Sequence, residues 1–136
     1  MMMFSPIPIL LALLCVAATS AQDTNSKIFI DGTLYNDLGE PLPNAVLQVW
    51  QTDEHGVYDH PNSIAQRGEL EPDFQYFGTS TTDANGLFSF VTFRPGVYQG
   101  RPTHIHFKVV HESEELLTSQ FYFADEPDRG TPESLR

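Results

Sequence analysis

Apolar and polar positions alternate in short runs along this chain, and nowhere do they recur with the period of a helix. Lys27 to Tyr35 carries Ile28, Ile30 and Leu34 and reads as a strand. The turn formers Asn36-Asp37-Leu38-Gly39-Glu40-Pro41-Leu42-Pro43 end it. Ala45 to Gln51, Phe74 to Ser80, Leu87 to Phe93 and Leu117 to Phe123 give further strands. Thr82-Asp83-Ala84-Asn85-Gly86 predicts a hairpin, because Asn-Gly supplies the positive φ angles. His60 to Asp73 holds Pro61, Gly68 and Pro72 without periodicity and reads as a long loop, a setting in which specificity is often decided. Short strands separated by frequent turns predict an all-β domain, an antiparallel sandwich.

The strand from Thr103 to Val110 stands apart from the others. Ile105, Phe107 and Val109 alternate with His104 and His106, so the two imidazoles share one face and the apolar side chains the other. Two histidines one strand repeat apart make a stiff pair of ligands. Their plainer reading is a pair of partly buried rings with hydrogen-bond partners.

The first part of the chain breaks the pattern. Met1 to Ala21 has no charged side chain, Ile7 to Ala18 is almost wholly apolar, and small residues precede the polar run Gln22-Asp23-Thr24-Asn25-Ser26. This predicts a secretory signal peptide over residues 1–21, cleaved to leave a secreted domain over residues 22–136. The apolar run is short for a bilayer span. Cys15, the single cysteine, falls inside it, so the mature domain is expected to have no disulfide, thiolate metal site or cysteine nucleophile. A net charge of −11 argues against nucleic acid or an anionic membrane surface as partner. Nothing in the pattern fixes an oligomeric state.

Several metal chemistries compete for the histidine pair. Zinc needs a third ligand, and His111, at odd offset from His106, is expected to face the other way. A cupin-like site lacks both its glutamate and its later histidine. A facial triad needs a carboxylate, and Asp53 and Asp83 are better explained as Asx-type turn formers. Tyr58 and Tyr98 each follow a glycine-containing turn; taken singly they are ordinary aromatics, as Arg101 is an ordinary surface charge and Gln120 an ordinary strand residue. Trp50 reads as core. Phenolate is a hard donor with an ordinary pKa of about 10, so a strongly acidic cation such as Fe(III) suits it.

In order along the chain, Gly39-Glu40-Pro41-Leu42-Pro43-Asn44-Ala45, Trp50-Gln51-Thr52-Asp53, Gly56-Val57-Tyr58, Thr82-Asp83-Ala84-Asn85-Gly86, Pro95-Gly96-Val97-Tyr98, Arg101-Pro102-Thr103-His104-Ile105-His106-Phe107 and Gln120-Phe121-Tyr122-Phe123 resemble the catalytic domain of intradiol ring-cleavage dioxygenases. The likeness covers roughly residues 28 to 125 and is strongest to the compact, secreted, protocatechuate 3,4-dioxygenase-like branch. It implies a prealbumin-like β-sandwich holding non-haem Fe(III) through Tyr58, Tyr98, His104 and His106. It also implies a catechol substrate cleaved with O2 to a cis,cis-muconate, with Tyr98 giving way to substrate, Arg101 stabilising negative charge and Gln120 close to the metal. Thr79 departs from the arginine often found before the hairpin, and a C-terminal end shortened after Phe123 is expected. The rival readings are a non-catalytic prealbumin-like binding or adhesion module, which shares the turn motifs for structural reasons, and an inactive truncated relative.

Overall fold

A computed structural model of the chain describes residues 9–10 and 27–125. The expected signal segment lies outside the described residues except for Ile9–Leu10, and so does the chain from residue 126 onward. In chain order the elements are β1 (Ile9–Leu10), β2 (Lys27–Thr33), β3 (Tyr35–Asn36), β4 (Val46–Trp50), α1 (Pro61–Arg67), β5 (Phe77–Thr81), β6 (Leu87–Phe93), β7 (His104–His111) and β8 (Glu114–Tyr122). All strand pairing among them is antiparallel.

Two sheets carry the domain. β2 and β6 form one, in register from Lys27 opposite Phe93 to Thr33 opposite Leu87. The other has four strands in the order β5-β4-β7-β8. Ile30 and Phe88 from the first sheet meet Leu47, Ile105, Phe107, Val109 and Phe121 from the second in one buried cluster, with Leu34, Leu42 and Ala45 closing one end. Phe107 stacks on Phe121 with ring centroids 4.2 Å apart. Each such side chain contributes roughly 1.5–3 kcal/mol by leaving water.

The predicted alternation in β7 holds. Ile105, Phe107 and Val109 lie in the core. His104 and His106 project from the opposite, outer face of the four-stranded sheet. Cross-strand register puts Tyr122 opposite His104, with Gln120 and Trp50 flanking His106 on either side. That outer face, beneath two crossing loops, is where the candidate chemistry sits.

Two expectations are corrected. Residues 60–73 are not all loop, because Pro61–Arg67 is helical. Pro61 stands at the first helical turn, where its missing N–H is no loss; His60 caps the start, and Gly68 ends the helix at φ 116° with its N–H on the Ile64 carbonyl. Residues that read as helix breakers are here the helix's two boundaries. The Thr82–Gly86 turn exists, yet it joins no ladder: β5 pairs with β4 and β6 with β2, so the turn carries the chain from one sheet to the other. Asp83 Oδ1 accepts from the Asn85 and Leu87 amides, and Gly86 alone in that turn takes a positive φ.

Candidate metal centre

Both tyrosines reach the histidine pair by way of turns that are pinned to each other. In the first, Asp53 Oδ1 accepts from the His55 and Val57 amides, each at 2.9 Å, as an Asx turn should. The chain then runs to Tyr58, whose N–H is accepted by Ser63 Oγ at 2.9 Å from α1. In the second, Gly96 donates to the Asp53 carbonyl at 2.7 Å, and its own carbonyl accepts from Thr52 Oγ1 at 3.2 Å. A Cβ at Gly96 would overlap the Glu54 carbonyl oxygen and the Gly56 nitrogen. Only glycine lets the two turns cross this closely. From there the chain passes Tyr98 and turns at Gln99 and Gly100, both with positive φ, into Arg101.

The result is a cluster of four donor side chains. Tyr58 and Tyr98 meet edge to face with centroids 4.8 Å apart. His104 and His106 do the same at 4.8 Å, and the Tyr58 and His106 centroids are 6.1 Å apart. His104 Nδ1 lies 2.7 Å from the Pro102 carbonyl, a contact that requires the proton on Nδ1 and leaves a lone pair on Nε2. That Nε2 is buried and has no hydrogen-bond partner among the described residues, and the same is true of Tyr58 Oη.

Burial sets the protonation of this cluster. It pushes the Tyr58 phenol up to about 12, against the opposing pull of the Arg101 charge. It also lowers both imidazoles, His106 to about 4, with the charges of His104 and Arg101 adding to the effect there. Both rings are therefore neutral at pH 7, with lone pairs available to a cation. Two buried polar atoms without partners, a neutral imidazole pair and two phenols fit a hard, strongly acidic cation that supplies the missing partners. The donor set fits ferric iron.

Around the donors, Arg101 donates to Gln120 Oε1 at 2.8 Å, and the same oxygen accepts from the Tyr122 hydroxyl. Gln120 Nε2 lies 3.2 Å from His106 Nδ1. Trp50, expected in the core, instead stacks on His106 with centroids 5.1 Å apart. The pairing of Trp50 opposite His106 across the sheet fixes this, since residues facing each other across two strands point the same way. A separate cleft of about 210 Å³ where β5 and β6 part is lined by Phe74, Phe77, Phe90 and Phe93; none of the four donors lines it.

The sequence-predicted residues Tyr58, Tyr98, Arg101, His104, His106 and Gln120 thus come together. Ser63 was not anticipated. Its only signal was its position inside a helix that the proline and glycine disguised.

Comparison with known proteins identifies the family. A dioxygenase family model (Dioxygenase_C) matches residues 13–101. The chain is 31% identical over 136 aligned residues to the protocatechuate 3,4-dioxygenase beta chain of Burkholderia cepacia, covering 88% of this chain and 57% of that one. It is 32% identical to the catechol 1,2-dioxygenase of Candida albicans, covering 76% and 39%. Among solved structures, the dioxygenase domain of a dioxygenase carbohydrate-binding fusion protein from Streptomyces sp. SirexAA-E superposes with a TM-score of 0.62 at 31% identity, over 80% of this chain and 64% of that one. Chlorocatechol 1,2-dioxygenase from Pseudomonas putida gives a TM-score of 0.59 at 28% identity, over 93% and 55%. The chain spans about half the length of the curated relatives it matches. On these matches the chain belongs to the intradiol ring-cleavage dioxygenase family.

Proposed function

We propose that this chain is a secreted, non-haem Fe(III) intradiol dioxygenase that cleaves catechol-type diols with O2 to cis,cis-muconate-type products. The observation that carries the reading is that Tyr58 Oη and His104 Nε2 are buried without a hydrogen-bond partner among the described residues, in the cluster that also holds Tyr98 and His106. Tyr58, Tyr98, His104 and His106 would hold the iron. When bound, it acts as a Lewis acid that lowers the pKa of coordinated phenols and activates the diol toward O2. The apolar run from Ile7 to Ala18 and the small residues after it support secretion, with residues 1–21 as the cleaved segment.

The chain's own residues divide the remaining work. Tyr98 sits half-buried on the turn that ends at Gln99 and Gly100; held as a phenolate by the iron, it would be the donor to give way and take up a proton from an incoming diol on Oη. Arg101, its guanidinium held by Gln120, offers a fixed cation to negative charge on the bound ring. Gln120 joins Arg101 to His106: its Oε1 accepts from the guanidinium while its Nε2 lies 3.2 Å from His106 Nδ1. Trp50 holds the His106 ring in plane by stacking.

The experiment is the visible spectrum of the chain from Gln22 onward, produced with iron available. A broad tyrosinate-to-iron band that shifts on anaerobic addition of catechol, followed by oxygen uptake and a muconate product, is the expected outcome. Folded protein that stays colourless after iron reconstitution would sink the reading in favour of a non-catalytic binding module.

A further inference from the structure

Tyr76 holds a backbone conformation that bulky residues rarely adopt. Its φ is 61°, in the left-handed region. The side chain is nonetheless buried, at 8% exposure, and held twice by its hydroxyl. That hydroxyl donates to Asp53 Oδ2 at 2.8 Å and accepts from the Glu71 N–H at 2.7 Å. The ring packs edge-on against Phe74, with centroids 4.8 Å apart. Meanwhile the Tyr76 carbonyl accepts from the Gln51 N–H, just beyond the end of β4. The residue must therefore continue the pairing at β4 and also send its ring across to Asp53. Strain of this kind persists only where the surroundings over-determine it.

Asp53 is the group on which these contacts converge. It is 3% exposed, and a carboxylate so buried needs donors. One oxygen gathers the His55 and Val57 amides of the turn that ends at Tyr58. Its backbone carbonyl receives Gly96, which leads to Tyr98. Its other oxygen accepts from the Tyr76 hydroxyl. Burial and the bond to Asp53 push the Tyr76 phenol up to about 12, so it remains a donor.

We propose that Tyr76 is a positioning residue for the candidate metal centre: through Asp53 it fixes the turn that presents Tyr58, without joining the donor set. This rests on the reading of Tyr58 as a ligand. The left-handed backbone at Tyr76 is the conformation that lets one residue close the strand end and clasp the turn together.

Tyr76→Phe tests it, keeping the ring against Phe74 and deleting the hydroxyl. In the iron-free protein, amide exchange at His55 and Val57 should accelerate about tenfold while Ile105 and Phe107 in β7 stay unchanged. In the loaded protein, iron should be lost about tenfold faster and the tyrosinate band should shift, which a merely structural role would not produce. Unchanged exchange at His55 and Val57, or equal acceleration in β7, would overturn the proposal. So would an unshifted band with wild-type iron retention. Should Tyr76→Phe not fold, Phe74→Leu removes the ring against which Tyr76 packs and should give the same pattern of exchange more weakly. Wild-type protein that takes up no iron would remove the metal-centre reading alone, and exchange in the iron-free protein would then decide whether Tyr76 clasps the turn.

Discussion

The Trp50 indole lies parallel to the His106 imidazole, their planes 2° apart and their centroids 5.1 Å apart. Trp50 is the chain's single tryptophan, so its emission reports on one ring alone. Iron held by His106 should quench that emission in step with the growth of the visible band. Loading seen by colour without a change in fluorescence would mean that His106 is not a ligand.

Tyr58 supplies a sharper test, because its hydroxyl is buried without a partner among the described residues. An unsatisfied buried group is a cost in the iron-free state, so Tyr58→Phe should leave the iron-free protein as stable or up to about 1 kcal/mol more stable. The same substitution should abolish the colour and the stabilisation that iron brings to the parent. Thermal melts with and without iron measure both. A variant clearly less stable than the parent without iron would show that the hydroxyl has a partner after all.

Stability against pH follows from the cluster's protonation. His106 is lowered to about 4 and His104 lies below its usual 6.5, in both cases chiefly through burial. Between these values the unfolded chain binds more protons than the folded one. The iron-free protein should thus be at full stability above pH about 6.5 and lose it as pH falls toward 4. Tyr58 and Tyr76 act at the other end. Raised to about 12, they keep protons that the unfolded chain releases near 10, so their contribution is complete below about 10 and lost as pH rises through 12. Denaturant midpoints across this range give the profile, and a flat line between 6.5 and 4 would contradict the burial of neutral imidazoles.

Gly96 ties together the two turns that lead to Tyr58 and Tyr98. Gly96→Ala forces a methyl group onto the backbone at Glu54 and Gly56. The two turns must separate, at about 1–3 kcal/mol. Iron retention should fall by more than that loss of stability accounts for, since Tyr58 and Tyr98 move apart. Calorimetry and iron release rates would separate the two effects, and wild-type retention in a destabilised variant would count against the crossing as the element that sets donor spacing.

Much of this site was legible because strand alternation is strict. Once Ile105, Phe107 and Val109 were assigned to the core, the face of His104 and His106 was decided, and Asp53 and Asp83 do hold the Asx turns expected of them. What stayed hidden depended on partners distant in sequence. Trp50 looked like core because its hydrophobicity is visible and its register against β7 is not. Pro61 and Gly68 looked like breakers because a seven-residue helix is too short to show a period between them. Tyr76 gave no sign, since a left-handed tyrosine is imposed by tertiary contacts and by no local preference. The family resemblance named the four side chains that gather at the candidate site, and it did not point to Tyr76.

β7 carries core and chemistry on alternate residues, so its two faces cannot vary independently in length. A one-residue slip of β7 against β4 and β8 would rotate the whole strand: the imidazoles would turn inward against Leu47 and Phe121, and Phe107 and Val109 would turn out toward the tyrosines. Substitution can reshape this site gradually, but a slip of register in that strand would lose the fold and the donor pair in one event.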